Sequence, residues 1–196
     1  MTIKSWKRSS ILSDVKYSSF MAGNYSLSGT FNSIATQTIG IGGATSVTFS
    51  SIPSTFTHLQ IRALVKSSVT GNVESLYVQE NGDSTGTNYY CHSIYGNGAT
   101  ATSSTIASTS LAAYGVAPAN TSTANMFGSA IIDILDYANT NKTKVFRSLA
   151  GHDANGNGII SLNSMLWNST SAINSIIITG NAGFLQYSSF ALYGVN

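Results

Sequence analysis

Thr57-His58-Leu59-Gln60-Ile61-Arg62-Ala63-Leu64-Val65 decides the fold class. Leu59, Ile61, Ala63 and Val65 fall on one side of an extended chain, and His58, Gln60, Arg62 and Leu64 on the other. Successive side chains of a strand point to opposite faces, so this period of two describes a strand with one buried face. The same reading extends outward. Val47 and Phe49 alternate with Thr48 and Ser50, while Ala130, Ile132 and Ile134 alternate with Ile131, Asp133 and Leu135.

Ile, Val, Thr and Tyr dominate these runs, and their branched or aromatic side chains suit a pleated, half-buried surface. Turn clusters separate them: Gly40–Gly43, Gly71-Asn72, Asn81-Gly82-Asp83, Gly96-Asn97-Gly98, Asn139–Asn141, 155–158 and Gly180–Gly183. Asn-Gly and Gly-Asn pairs supply the positive-φ residues of tight turns. About ten strands are predicted, over 31–39, 45–50, 56–66, 74–80, 88–95, 105–114, 127–137, 143–150, 159–167, 172–179 and 184–194, with one range in excess. Short strands joined by regular turns predict an all-β chain, an antiparallel β-sandwich of jelly-roll type.

Residues 1–30 differ. Trp6, Leu12, Val15, Tyr17, Phe20 and Met21 are scattered among serines without alternation, and one short helix around Ile11–Tyr17 is the most regular element expected there. The domain expectation is an N-terminal extended docking arm over 1–30 and a sandwich over 31–196. Lys4, Lys7, Arg8 and Lys16 stand against Asp14 alone, so the arm carries +3 and the rest of the chain is near neutral. Candidate partner-docking residues are Lys4, Trp6, Lys7, Arg8, Phe20 and Met21: the apolar ones supply adhesion and the charges steer it.

Composition narrows the function classes. Charged residues make up 8% of the 196, against about 25% in ordinary soluble domains. A surface with so few charges suits a protein permanently packed against others. A net charge of +2 is too small to indicate nucleic-acid binding. No stretch reaches the roughly 18 apolar residues of a membrane helix, and Ser9, Ser10, Ser13 and Asp14 interrupt any signal-peptide core, so neither a membrane nor a cleaved leader is expected. Cys91 is the only cysteine, which rules out an internal disulfide framework; it is expected to be packed.

No catalytic or metal set emerges, and no cofactor is expected. The nucleophile elbow Gly-x-Ser-x-Gly is missing. His58, His92 and His152 lie far apart, each in or beside a predicted strand, and Asp133 and Asp136 are spaced to face opposite sides of one. The stretch from Asp153 to Gly158 resembles the start of a calcium loop, but Ser164 stands where an EF-hand needs Glu, and flanking helices are not predicted. Aromatic residues that would stack on sugar faces if exposed are Tyr89, Tyr95 and Trp167.

Three further stretches bear on identity: 31–44 with 47–62; Ile131-Ile-Asp-Ile-Leu-Asp-Tyr137 with Lys144-Val-Phe-Arg-Ser-Leu-Ala-Gly151; and Phe190-Ala-Leu-Tyr-Gly-Val195. Together, over roughly 31–195, they resemble structural proteins of tailed-bacteriophage virions, a β-sandwich group of decoration and tail proteins common in environmental phages. That resemblance implies a non-enzymatic module on the virion exterior, made in the host cytoplasm. Its partners would be other virion proteins, either the major capsid protein or tail and neck proteins, and further copies of itself in a homo-oligomer. Within that frame the first expectation is a capsid decoration or cement protein. The alternative is a tail-fibre or tail-tip module recognising a host glycan.

Overall fold

The computed structural model describes residues 30–109, 112–154 and 156–196. Twelve strands account for most of them: β1 (Phe31–Thr38), β2 (Ala44–Phe49), β3 (His58–Val65), β4 (Val73–Glu80), β5 (Tyr89–Gly96), β6 (Ala101–Thr109), β7 (Ala112–Pro118), β8 (Gly128–Leu135), β9 (Lys144–His152), β10 (Ile159–Trp167), β11 (Ile176–Phe184) and β12 (Ser189–Val195). They form an eight-stranded sheet, β1-β12-β3-β8-β9-β10-β5-β6, and a four-stranded sheet, β2-β11-β4-β7. Every pairing is antiparallel.

The chain is an all-β sandwich, as the period-two runs require. Leu59 and Ile61 of β3, Ile132 and Ile134 of β8, Phe146 of β9 and Leu192 of β12 point inward from the large sheet and are fully or almost fully buried. Val47 and Phe49 of β2, Leu76 and Val78 of β4, and Ile176 and Ile178 of β11 meet them from the small sheet. Each such side chain contributes about 1.5–3 kcal/mol by leaving water. Phe184 and Phe190 close the layer between sheets, their ring centroids 4.9 Å apart and tilted by 54°.

Strand order has a simple structure. Without the β5–β6 and β9–β10 hairpins, the remaining eight strands change sheet at every step along the chain except from β4 to β7, which pair within the small sheet, and leave two four-stranded sheets, β1-β12-β3-β8 and β2-β11-β4-β7. Both hairpins add to the large sheet alone. They widen it beyond the small one and leave β6 with no partner but β5 among the described residues.

Two predicted boundaries are corrected. The run 105–114 is not a single strand: β6 ends at Thr109 and β7 begins at Ala112, in different sheets. The run contains no Gly, Pro, Asn or Asp to mark the change of sheet. Gly180–Gly183, read as a turn, lies inside β11, which runs on to Phe184 with its pairing to β2 shifted between Thr179 and Phe184. The Asn81-Gly82 turn is as read. Asn81 and Gly82 both have positive φ (51° and 68°), and the Asp83 N–H donates to the Glu80 carbonyl at 2.9 Å, closing the turn after β4. The arm residues and the helix expected around 11–17 lie outside the described residues.

The small sheet is stitched to the large one through a bulge. Leu76 pairs with Gly115 and Tyr77 with Ala113, so Tyr114 is the extra residue of β7. A bulge leaves its residue out of the ladder. The Tyr114 carbonyl turns to the opposite sheet, where it accepts bonds from Ser148 Oγ and Asn163 Nδ2, and Asn163 also donates to Ser148 and Ser161. These buried polar residues of β9 and β10 thus satisfy a backbone group the ladder cannot.

Candidate docking face

Inward-facing residues of the large sheet fill the core, so attention falls on the other face. Strand register places Arg62, Ile131, Leu149, Leu162, Ile94 and Ser103 in one line across β3, β8, β9, β10, β5 and β6. Its middle is a continuous aliphatic row: Ile131 is 43% exposed, Leu149 50%, Leu162 56% and Ile94 61%. The next line, Leu64, Ser129, Gly151, Ile160, Gly96 and Ala101, adds exposed Leu64 and Ile160. Single exposed aliphatics are ordinary, but a group of six on one sheet face makes this the candidate docking surface.

The face is dimpled as well as apolar. Gly151 and Gly96 put no side chain into their line, and one depression of about 620 Å³ opens there against Ile131, Leu149 and Ile160. Gly151 is required: a Cβ would lie 2.6 Å from the Ile159 carbonyl oxygen. A second depression, of about 660 Å³, lies between Ile94, Leu162, Arg147 and Thr105.

A polar line borders the aliphatic row: Gln60, Asp133, Arg147, Ser164, His92 and Thr105. At its β3 end the groups are already tied together. Gln60 donates to Asp133 at 2.8 Å, Arg62 Nε donates to Gln60 at 2.7 Å, and the Arg62 guanidinium lies 5.0 Å and 5.2 Å from the Phe31 and Tyr193 ring centres. Two aromatic faces and a hydrogen bond hold that cation in place. The face therefore has a fixed polar rim and an apolar middle, the arrangement of a protein–protein contact surface.

The aromatic residues expected to stack on sugars sit elsewhere. Tyr89 and Trp167 are corrected to core residues, 0% and 2% exposed. They belong to a cluster at the end of β4. Trp167 Nε1 donates to Asp83 Oδ2 at 2.7 Å, and Asn88 Nδ2 donates to the same oxygen at 2.8 Å. The Tyr89 hydroxyl donates to the Asp83 carbonyl at 2.9 Å. The Trp167 and Asn88 donors hold the Asp83 carboxyl well below its usual range. Three residues away, Glu80 is fully buried with no partner for either carboxylate oxygen among the described residues, and burial pushes its pKa from 4.5 to about 8. Tyr95 is half-buried, on the face of β5 that also carries Tyr89 and Cys91.

The remaining candidates are separate from one another. His58 accepts from the Asp136 N–H at 3.0 Å, and Asp136 pairs with Lys142 at 2.5 Å, whereas Asp133 is bound to Gln60. His92 contacts Thr105 at 3.3 Å, and burial lowers the pKa of His152. Among the described residues, no three His, Cys, Asp or Glu side chains group to hold a metal. In the Asp153–Gly158 stretch, Asp153 Oδ1 accepts from the Gly156 N–H at 3.2 Å, a local turn bond, and residue 155 lies outside the described residues. Cys91 is buried, its Sγ 3.4 Å from the Ala113 carbonyl, and burial raises its pKa to about 11. Such a thiol stays protonated at neutral pH and is a poor nucleophile.

Sequence reading missed the aliphatic row. The available signal was a strand apolar on both faces: β8 carries Ile131 and Leu135 outward as well as Ile132 and Ile134 inward. No family model matches the chain, and no curated protein or solved structure matches it either. No helix among the described residues is long and apolar enough to cross a membrane.

Proposed function

We propose that this chain is a non-enzymatic structural protein of a tailed-phage virion, displayed on the exterior as a decoration protein and attached through the outer face of its large sheet. The observation that carries this reading is the exposed aliphatic row Ile131–Leu149–Leu162–Ile94 with its polar rim. From β3 to β6 the face spans six strands, which at about 4.8 Å per strand and 3.3 Å per residue is about 600 Å² of plane. Accessible surface exceeds plane area, so the face is comparable with the roughly 800 Å² that each partner contributes to a standard interface.

The strand order of the two four-stranded sheets, β1-β12-β3-β8 and β2-β11-β4-β7, supports the jelly-roll reading of the sandwich, an architecture used in viral shells. The phage assignment itself rests on the resemblance of 31–195. Lys4, Trp6, Lys7, Arg8, Phe20 and Met21 extend the attachment beyond the sandwich. The glycan-binding alternative is the weaker reading, because the Tyr89 and Trp167 rings are in the core.

The test is incorporation. A protein carrying both Leu149→Asp and Leu162→Asp keeps the thermal unfolding of wild type, because both sites are exposed, yet reaches purified particles at least about tenfold less. Wild-type incorporation of this variant contradicts the proposal.

A further inference from the structure

The edges of the two sheets are not equally protected. An edge strand presents unpaired N–H and C=O groups that accept another strand, and proteins guard such edges with bulges, prolines, charges or short length. β1 carries a bulge between Ser33 and Ala35. β2 has only six residues, and its pairing with β11 is interrupted after Thr179. β7 carries the Tyr114 bulge and ends on Pro118.

β6 has none of these devices over most of its length. Its sequence, Ala-Thr-Ser-Ser-Thr-Ile-Ala-Ser-Thr, contains no charge and no proline. Its register with β5 is regular from Ala101 to Ala107, and the one irregularity lies beyond, towards Thr109. Residues 101–105 are all exposed, and among the described residues the outer side of β6 has no strand neighbour.

We propose that β6 is the strand through which two copies of this chain join, pairing antiparallel with β6 of the second copy so that the two large sheets become one. A closed twofold contact must set a surface against itself. An uncharged strand meets itself without like-charge repulsion, and Ser and Thr side chains opposite one another form favourable cross-strand pairs. Ile94 stands one strand in from this edge, so joining two copies brings the ends of their aliphatic rows together on one broad face. This pairing is independent of what the outer face meets.

The experiment combines native mass spectrometry with hydrogen exchange on the full chain. Wild type is expected at twice the 20.5 kDa chain mass at high concentration, and Thr102→Lys with Ser104→Lys at the single chain mass. On association, amides within 101–107 should exchange at least about tenfold more slowly. The Leu149→Asp, Leu162→Asp protein should dimerise as wild type does. The proposal is overturned by a wild type that stays monomeric, by a dimer that persists in the double lysine variant, or by protection of 101–107 already present in the dilute monomer. The last result would mean that another segment of the same copy covers the edge. Should the lysine variant fail to fold, exchange in wild type alone decides.

Discussion

Glu80 makes the stability of this protein fall as pH rises through neutrality. Its carboxyl ends β4 facing the core, fully buried and without a hydrogen-bond partner among the described residues. Burial is the main cause of its raised pKa, and the nearby Asp83 carboxylate acts in the same direction. The Tyr89 hydroxyl offsets little, because its proton goes to the Asp83 carbonyl. In the folded chain Glu80 titrates near 8, against 4.5 when unfolded. Between those values the folded state holds one proton more than the unfolded state, so unfolding free energy drops by about 1.4 kcal/mol per pH unit. Over the whole window the loss is roughly 5 kcal/mol, a large part of the 5–15 kcal/mol that holds a typical domain together. With a urea slope near 2 kcal/mol/M, the midpoint should fall by about 0.7 M per pH unit. Glu80→Gln removes the titration. Below pH 5 the variant should match wild type or lie slightly beneath it, and by pH 8 it should be clearly the more stable, so the two curves cross. His152 works in the opposite sense: burial lowers its pKa, so its contribution grows as pH rises towards 6.5 and the variant's residual slope should be flat or upward. Urea midpoints from pH 5 to 9 for both proteins check this. A flat wild-type profile, or the same decline in Glu80→Gln, refutes the reasoning.

Other substitutions test the packing directly. Trp167→Phe removes the indole donor to Asp83 and should cost about 1–3 kcal/mol in urea unfolding, with the Asp83 carboxyl signal shifting towards an ordinary titration by NMR. The sign for Asp83 is opposite to that for Glu80: its depressed pKa adds stability above 3.8 that is lost on acidification, so acid unfolding of Trp167→Phe should be the shallower. Gly115→Ala places a methyl group against the Cβ of Ala150 at a φ of 153°, and should cost about 2–4 kcal/mol by the same assay. Lys144→Met deletes a buried ammonium that donates to the carbonyls of Asn139, Lys142 and Thr170; leaving them unpaired should lower stability by about 2–4 kcal/mol.

How far sequence carried the structure depended on the range of the information needed. The β3 alternation of Leu59, Ile61, Ala63 and Val65 is local, and it identified both the strand and its buried face. The Asn81-Gly82 turn is local too. The β6–β7 break was not legible because 105–114 contains no Gly, Pro, Asn or Asp, and its serines are no different from those inside the strands, whereas the two strands belong to different sheets. Tyr89 and Trp167 were read as recognition candidates because an isolated strand does not say which face is covered; both are buried in the core and bonded to Asp83. The docking row is a property of register. Ile94, Ile131, Leu149 and Leu162 come from four strands, and only their cross-strand pairing turns four exposed aliphatics into one surface.

A density map of the particle that carries this protein tests attachment through the outer sheet face most directly. The account predicts copies on the exterior with Ile131, Leu149, Leu162 and Ile94 buried against a neighbouring virion protein. Copies with that row turned to solvent, or a particle that carries none, would contradict it.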